Sequence, residues 1–370
     1  MRFKKIVAGA LGLVGMLGLC TQGVAQTLRY NSFMPPLAVE SKGIKAFFDE
    51  LESETNGRVK GQVFLGGQML GGQATISGIR DRVVDGGFII PTLNASEIPY
   101  VAMLPELLPF SGDFWAATGA TNETMMINCP ECKGDLDKYN AVWLGGIGAS
   151  PWHMMCAQPI QRFEDLKGKK VRVTGGFAAR MVDAFGATSV ALPASEIPAA
   201  MQQGMIDCAV GTLSWLNTLG LINMVKGIVD EPIGSYHGIG QFVFNKDSLA
   251  KLRPEDKKTL MTLIPKHLPM LTAAYSKDQQ AAREAAVKKG VVMWKPDEKY
   301  QEAMRKFKGA EPKAVAADIM KQGGTKDAEP IVQKHIETLQ KWQGLVSESS
   351  GTPEAFAEIL RREVYSKVPQ

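Results

Sequence analysis

The sequence alternates short apolar strands with amphipathic helices, and no other feature constrains the fold as strongly. From residue 26 onward, the pattern predicts strands over 27–31, 59–65 and 86–90 and helices over 44–51 and 76–83. The apolar residues of the first helix fall at the i, i+3, i+4, i+7 spacing that places them on one face: Ile44, Phe47, Phe48 and Leu51. Strands that alternate with helices form a parallel sheet covered by helices, so the sequence predicts an α/β fold.

The same alternation restarts after an irregular middle segment and predicts a second α/β unit. Its predicted strands are 141–146, 154–156, 169–173, 190–192 and 205–210. A strongly helical stretch follows over 254–289, in which Pro265 and Pro269 are expected to kink or split the helix. A chain of this length accommodates two domains, so two lobes are the simplest interpretation.

Residues 1–25 have the three parts of a secretion signal. A basic start precedes an uncharged apolar run over 6–19, which is too short to cross a bilayer comfortably. Gly23-Val-Ala25 then supplies the small-x-small pattern that signal peptidase reads, which predicts cleavage after Ala25. A lipid anchor at Cys20 is disfavoured because a bulky leucine precedes it. The sequence therefore predicts export to the periplasm and removal of this segment.

The charges of the chain are nearly balanced and scattered along it. Forty-two Lys and Arg residues against 38 Asp and Glu residues give a formal net charge of +4. Short basic runs such as 167–172 lack interleaved aromatic side chains, so nucleic acid is not a predicted partner. No run of about 18 uncharged apolar residues follows the signal segment, so no membrane-spanning helix is predicted.

Four cysteines follow the predicted cleavage site, and an even number in an oxidising compartment permits two disulfides. Three connectivities are possible among Cys129, Cys132, Cys156 and Cys208, and the sequence leaves them open. The Cys129-x-x-Cys132 spacing also occurs in redox and zinc sites. Loop-like surroundings disfavour the redox site, and the lack of a second ligand pair among the four histidines disfavours zinc. A structural disulfide is favoured, and no metal or cofactor is predicted.

Five segments, in order and at matching spacing, carry the motifs of one known family. They are ETNGRV at 54–59, DLKGKKVRV at 165–173, GATSVALP at 186–193, MQQGMID at 201–207 and FNK at 244–246. Together they resemble the TRAP-type (tripartite ATP-independent periplasmic) solute-binding proteins, the C4-dicarboxylate-binding family. Each segment alone is a weak signal, but the five in register cover nearly the whole chain after residue 26.

This resemblance implies the two-lobed fold of type II periplasmic binding proteins, with mixed sheets flanked by helices and a long helix bridging both lobes. On that plan, lobe I comprises 26–153 plus 240–272, and lobe II comprises 154–239 plus 273–370. The resemblance further implies a non-enzymatic protein that captures a small organic carboxylate in the inter-lobe cleft and delivers it to the permease subunits of a TRAP transporter. We expect the protein to be a monomer.

Arg172 is the residue predicted to bind the carboxylate. Alternation along its strand places it on the face opposite Val171 and Val173, at the carboxyl end, where open α/β sheets bind ligands. A planar guanidinium makes two parallel, charge-assisted hydrogen bonds to a carboxylate. The alternative is a solvated arginine on an edge strand, and the DLKGKKVRV motif favours the carboxylate site.

Further candidate ligand contacts lie in predicted strand-end loops and near the crossings between lobes. Aromatic rings suit cleft walls because they cover apolar ligand surface with little loss of rotamer freedom. The other predicted ligand-binding residues are Phe33, Thr92, Trp152, His153, Gln158, Thr212, Ser214, Trp215 and Tyr236. For each of them the alternative is a structural role in the core, at the surface or in a helix cap.

Two positions depart from the family pattern in ways that concern the ligand. Gly211 stands where many members have an asparagine, and Gln158 stands where the sialic acid binders have a second arginine. The pocket is therefore expected to be less polar than theirs. This argues against sialic acid, weakly against a dicarboxylate, and favours a larger apolar or aromatic monocarboxylate.

Two other functions are alternatives to transport. An exported enzyme, such as a thiol oxidoreductase, receives little support because the sequence lacks G-x-S-x-G, H-E-x-x-H and a credible Ser/His/Asp grouping. The second alternative is a binding protein that serves a sensor instead of a transporter.

Overall fold

The computed structural model describes residues 25–324, 327–347 and 351–368. The predicted signal segment lies outside these residues except for Ala25. The strands are β1 (Gln26–Asn31), β2 (Val59–Phe64), β3 (Gly86–Ile89), β4 (Ala141–Ile147), β5 (Pro151–Cys156), β6 (Lys170–Val173), β7 (Thr188–Ala191), β8 (Cys208–Thr212), β9 (Gly227–Val229), β10 (Gly234–Ser235), β11 (Ile239–Asn245) and β12 (Val292–Trp294). The α-helices are α1 (Val39–Glu54), α2 (Thr75–Arg80), α3 (Pro99–Glu106), α4 (Phe114–Glu123), α5 (Pro130–Asp137), α6 (Gly176–Ala184), α7 (Ile197–Gln202), α8 (Trp215–Thr218), α9 (Lys246–Ala250), α10 (Pro254–Lys288), α11 (Glu298–Lys321), α12 (Glu329–Ser347) and α13 (Pro353–Glu363).

Two mixed sheets, each flanked by helices, define the two lobes. The sheet of lobe I has the order β2-β1-β3-β11-β4, and β11 pairs antiparallel with both of its neighbours. The sheet of lobe II has the order β12-β9-β5-β8-β6-β7, with β10 paired to β5. In this second sheet β6 runs parallel to β8, whereas β5 runs antiparallel to β8. The carboxyl ends of β6 and β8 therefore lie at the same edge as the amino end of β5. The predicted two-lobed α/β fold is confirmed.

The chain crosses between the sheets through residues 148–150 and 236–238 and through the long helix α10. The two extended crossings are hydrogen-bonded, because the N–H of Ala149 donates to the carbonyl of Tyr236 at 2.7 Å. The hydroxyl of Ser150 donates to the carbonyl of Tyr275 in α10 at 3.0 Å. These bonds tie the two extended crossings and α10 into one hinge region.

Helix α10 bridges the lobes as predicted. Its first part is buried in the same core as α1 and β4 of lobe I, through residues such as Leu260 and Ile264. Near its end, Ala282 and Ala286 are buried in a cluster with residues of lobe II. The helix is continuous over Pro254–Lys288, so the expectation of a split at Pro265 or Pro269 is wrong. Both prolines are buried, and the packing of this apolar face offsets the missing backbone hydrogen bonds.

The C-terminal helices pack on lobe I. Trp342 of α12 is fully buried, and a Cβ added at Gly119 of α4 would meet its ring at 2.0 Å. The hydroxyl of Tyr365, just after α13, donates to the carbonyl of Leu144 in β4 at 2.8 Å. We therefore propose that α12 and α13 belong to lobe I, whereas the sequence-based prediction assigned all of 273–370 to lobe II. We also propose that the first crossing lies at 148–150 and not after 153. Sequence periodicity shows that a helix has an apolar face but not which sheet covers it.

Two disulfides resolve the connectivity that the sequence left open. Cys129 bonds Cys132 at the start of α5, and Cys156 bonds Cys208 directly across the β5–β8 ladder. All four cysteines are buried.

Removing the Cys156–Cys208 bridge should destabilise the protein more than removing the Cys129–Cys132 bridge. A cross-link between residues 52 positions apart restricts the unfolded chain far more than one between residues 3 positions apart. We expect a loss of roughly 4 kcal/mol in the free energy of unfolding for Cys156→Ser with Cys208→Ser, and less than half of it for Cys129→Ser with Cys132→Ser. Urea unfolding of the two double variants measures this, and equal losses would contradict the argument.

A histidine pair joins the second crossing to α12. His237 and His335 are fully buried, and their Nε2 atoms lie 2.9 Å apart. Nδ1 of His237 lies 2.9 Å from the carbonyl of Ser235, which accepts only, so this nitrogen carries the hydrogen and Nε2 of His237 is the acceptor. His335 then donates from Nε2 and accepts from the Thr124 hydroxyl at 2.7 Å. Burial lowers the pKa of His237 to about 4 and the pKa of His335 well below its ordinary value, so both rings are neutral at pH 7.

No helix in the described part of the chain combines the length and apolar character needed to cross a membrane.

Candidate functional site

Arg172 is buried at the carboxyl end of β6, with 3% of its surface exposed. β6 lies between β7 and β8, so the alternative of a solvated arginine on an edge strand is wrong. Nε of Arg172 donates to the carbonyl of Leu192 at 2.8 Å, and Nη1 donates to the carbonyl of Val210 at 3.3 Å. The guanidinium is therefore held in place by main-chain atoms at the carboxyl ends of β7 and β8.

The positive charge of Arg172 has no acidic partner among the described residues. Burial lowers its pKa to about 10, and no carboxylate in this part of the chain offsets the effect. The side chain is nevertheless protonated at neutral pH. Main-chain carbonyls engage two of the five N–H groups that a guanidinium carries. A buried cation without a counter-ion is unfavourable, so this position is suited to bind an anion.

Four aromatic side chains form a row that begins beside Arg172, and we call this group the aromatic row. The guanidinium carbon lies 5.3 Å from the centroid of the Trp215 ring, within the range of a cation–π contact. The Trp215 and Trp152 centroids are 6.5 Å apart, and Phe177 lies 5.9 Å from Trp152. Trp152 stacks on Tyr236 at 4.9 Å with an interplanar angle of 9°. The row is a packed apolar cluster next to one cation, with Trp152, Phe177 and Tyr236 all buried.

The aromatic row reaches lobe I through a side-chain hydrogen bond. The hydroxyls of Tyr236 and Thr92 lie 2.9 Å apart, and Thr92 is in the turn that follows β3. Phe33 follows β1 in the same lobe and packs on Phe88 at a centroid distance of 5.5 Å. Residues of both sheets thus meet between the lobes.

A cavity of about 200 Å³ lies between the lobes, and Thr92, which is hydrogen-bonded to Tyr236 of the aromatic row, is part of its lining. One wall comes from the turn after β3 and from α3, and another from the turn between β6 and α6. Its lining includes Thr92, Leu93, Glu106, Thr174, Gly175 and Asp318. The two residues that follow β6, Thr174 and Gly175, therefore line an inter-lobe space, whereas Arg172 itself is buried and is not part of the lining.

The hydroxyls of Thr212 and Ser214 form a small network with α10. Thr212 and Ser214 are 3.2 Å apart, and the Thr212 hydroxyl donates to Oε1 of Gln279 at 3.1 Å. Nε2 of Gln279 donates to the carbonyl of Pro151 at 3.1 Å. The Ser214 side chain makes no capping hydrogen bond to α8, so the helix-cap alternative is wrong for it. Sequence reasoning missed Gln279, because nothing distinguishes it from the other polar residues of α10.

Two predicted site residues lie apart from the aromatic row. His153 follows Trp152 in β5 and faces the opposite side of that strand, where burial lowers its pKa to about 4. Gln158 is exposed and lies beyond Cys156, at the end of β5 farthest from Trp152. Because β5 runs antiparallel to β6, this end is at the opposite edge of the sheet from the carboxyl end of β6. The structure does not bring Gln158 to Arg172, and we no longer propose it as a ligand contact.

A carboxylate of lobe I contacts a helix of lobe II near the same cavity. Glu106, at the end of α3, accepts hydrogen bonds from the backbone N–H groups of Gly176 at 3.1 Å and Phe177 at 2.6 Å, in the first turn of α6. Burial raises the pKa of Glu106, although these N–H groups and Arg180 oppose the shift. Sequence reasoning missed this contact, because no local motif indicates a contact between residues 70 positions apart.

Arg180, one turn further along α6, gathers three acidic side chains. It lies 3.6 Å from Glu106, and its Nε donates to Glu311 of α11 at 3.1 Å. Its Nη1 lies 2.6 Å from Asp318, also in α11. The end of α3, the start of α6 and the middle of α11 are therefore joined by one charged cluster.

Comparison with known proteins identifies related sequences. A family model with the description "Bacterial extracellular solute-binding protein, family 7" matches residues 30–311. Among curated proteins, the "Uncharacterized protein YiiZ" of Salmonella typhimurium is 27% identical over 273 residues, which are 69% of this chain and 78% of that protein. A solute-binding protein of Albidiferax ferrireducens is 23% identical over 223 residues, 60% of this chain and 64% of that protein.

Solved structures share the fold. A TRAP solute binding protein from Rhodoferax ferrireducens, in complex with copurified benzoate, has a TM-score of 0.71 at 22% identity and covers 86% of this chain and 99% of its own. A protein from Bordetella bronchiseptica with bound (R)- and (S)-mandelate has a TM-score of 0.66 at 23% identity, with 85% and 99% covered. A marine metagenome protein specific for aromatic acid ligands has a TM-score of 0.69 at 21% identity, with the same coverage.

Proposed function

Because this chain belongs to the bacterial extracellular solute-binding proteins of family 7, the solute-binding proteins of TRAP transporters, we propose that it captures a small organic monocarboxylate between its two lobes. One observation carries the proposal: Arg172 is a buried cation that no acidic residue in the described part of the chain neutralises. A ligand carboxylate would supply the missing charge and accept from the N–H groups that the main chain leaves free. Arg172 is therefore the proposed carboxylate-binding residue.

The aromatic row favours a ligand with an apolar or aromatic body. Trp215 contacts the cation directly, and Trp152 and Tyr236 continue the row with aromatic rings and few hydrogen-bonding groups. At Gly211, an added Cβ would meet the Trp215 ring at 1.9 Å. Glycine here therefore lets Trp215 lie over the strand where other members carry a polar asparagine. The benzoate, mandelate and aromatic-acid complexes of proteins with the same fold support this ligand class.

Capture would proceed by closure of the lobes around the ligand. The carboxylate first binds Arg172 on lobe II, and lobe I then covers the apolar body through Thr92 and Phe33. Closure excludes water and lowers the local dielectric, which strengthens the ion pair. A ligand that binds the closed form more tightly shifts the population toward it, and the hinge region at 148–150 and 236–238 absorbs the motion.

We further propose that the protein acts as a monomer in the periplasm, without catalysis, and delivers its ligand to TRAP permease subunits. Family membership supports the location and the partner. The thiol oxidoreductase alternative is not favoured, because disulfide exchange requires an accessible sulfur and Cys129 and Cys132 are 2% and 0% exposed.

A thermal-shift screen tests the ligand class. We expect benzoate and other aryl monocarboxylates to raise the melting temperature more than succinate, malate or sialic acid at equal concentration, because a ligand that binds only the folded state stabilises it. A ligand at 100 times its Kd adds about 2.7 kcal/mol to the free energy of unfolding. Stabilisation by dicarboxylates or sialic acid alone would contradict the proposed ligand class.

A further inference from the structure

Glu106 gives α6 a cap that the helix's own sequence does not supply. The residue before α6 is Gly175, whose φ of 82° lies in the left-handed region and which has no side chain to accept from the first-turn N–H groups. The carboxylate of Glu106 accepts from the N–H groups of Gly176 and Phe177 instead. An anion at a helix N-terminus is favoured both by these unpaired donors and by the helix dipole.

The geometry requires close approach of the two lobes. A Cβ at Gly175 would lie 2.8 Å from Oε1 of Glu106, and a Cβ at Gly176 would lie 3.2 Å from Oε2. The two glycines therefore make room for the carboxylate. Helix α3 is anchored in lobe I, because its residues Val101 and Leu104 are fully buried in a core cluster that includes strand residues of that sheet.

The same hydrogen bonds reach the candidate ligand site. The backbone N–H of Phe177 donates to Glu106, which fixes the backbone position of Phe177. The centroid of its ring lies 5.9 Å from that of Trp152 in the aromatic row. Gly175 follows Arg172 by only three residues, at the end of the strand that carries it. A movement of lobe I away from lobe II would withdraw Glu106 and uncover the start of α6.

We propose that Glu106 is a positioning residue for closure: its carboxylate, carried by lobe I, caps α6 of lobe II in the closed form and thereby raises ligand affinity. The affinity effect rests on the proposed function, whereas the effect on lobe position does not. A competing idea is that Glu106 occupies a place that the ligand carboxylate would otherwise take. The two ideas predict opposite changes in affinity when the charge is removed.

Two readouts on Glu106→Gln test this proposal. The first is calorimetric affinity for benzoate, which we expect to weaken about ten-fold, equivalent to 1.4 kcal/mol. The second is the distance between spin labels at Lys45→Cys on α1 and Gln203→Cys after α7, which we expect to lengthen in the ligand-free protein. Both labelled positions are exposed. Glu106→Asp keeps the charge but shortens the side chain, and should fall between wild type and Glu106→Gln in both readouts.

Asp113→Asn is the matched control. Asp113 caps α4 by accepting from two first-turn N–H groups, those of Trp115 and Ala116, but helix and cap lie in the same lobe. Its substitution should lower thermal stability and leave benzoate affinity and the label distance unchanged.

Three results would overturn the proposal for Glu106. An unchanged label distance in Glu106→Gln, an unchanged benzoate affinity in a protein that binds benzoate, or a gain in affinity would each do so, and the gain would favour the competing idea. If the wild-type protein binds no organic acid, the proposed function fails, and the ligand-free distance still decides whether Glu106 stabilises closure.

Discussion

Arg172→Ala should weaken benzoate binding by at least about 30-fold without unfolding the protein. Truncating one partner of a buried, hydrogen-bonded charge pair costs roughly 2–5 kcal/mol of binding free energy, and each 1.4 kcal/mol is ten-fold in Kd. The ligand-free variant should be at least as stable as wild type, because the substitution removes a buried charge that no carboxylate of the described residues pairs. Calorimetry measures the affinity, and thermal unfolding without ligand measures the stability.

Two further variants distinguish the loss of carboxylate binding at Arg172 from the general effect of removing any arginine. Arg172→Lys keeps the charge but loses the planar fork, so its affinity should fall between those of wild type and Arg172→Ala. Arg58 is paired with Asp256 at 2.7 Å in lobe I, and Arg58→Ala should reduce stability while benzoate affinity stays the same. Benzoate affinity of Arg172→Ala within three-fold of wild type would show that the carboxylate binds elsewhere.

The free energy of unfolding should fall steeply as the pH drops from about 6.5 to about 4. The buried rings of His237 and His153 each have a pKa of about 4 in the folded protein and an ordinary value near 6.5 when unfolded. Below pH 6.5 the unfolded chain takes up protons that the folded protein does not, so their stabilising contribution is complete above this pH and is lost as the pH falls. Each of these two residues accounts for about 3 kcal/mol over that range, and His335 acts in the same direction.

Comparison of wild type with His237→Asn combined with His335→Gln isolates the histidine pair. The variant should show a shallower dependence of the free energy of unfolding on pH between 4 and 6.5, measured by urea unfolding at several pH values. Protonation of His237 at Nε2 would set two N–H groups against each other across the 2.9 Å contact, so the pair should be one of the acid-sensitive elements. A pH dependence as steep in the variant as in wild type would assign the effect to other groups.

Local sequence patterns predicted most of the described strands, including the first three, and the long helix α10. The strand–helix alternation placed β1 to β3 and α1 within a few residues, because each has an apolar face with the period of its backbone geometry. The pattern could not show that α12 covers lobe I, since an apolar face does not specify its partner. It also overestimated the effect of Pro265 and Pro269, which lie on a buried face of α10 where packing maintains the helix.

The position of Arg172 at the carboxyl end of a strand was predictable because one strand and one motif determined it. Arg172 followed from alternation in DLKGKKVRV, and the match to the family model confirms the family that this motif indicated. Gln158 was chosen because the sialic acid binders have an arginine at the matching position. The antiparallel direction of β5 puts it at the edge of the sheet opposite to the carboxyl end of β6. Glu106, Arg180 and Gln279 form contacts between segments distant in sequence, and only the three-dimensional fold brings them together.

A crystal structure of the protein with bound benzoate tests the central claim most directly. We expect the carboxylate oxygens within about 3 Å of the Arg172 guanidinium nitrogens, and the benzene ring against Trp152, Trp215 or Tyr236, with both lobes in contact with the ligand. A complex in which benzoate lies outside the inter-lobe space, or in which its carboxylate is held by other residues while Arg172 makes no contact, would contradict the account.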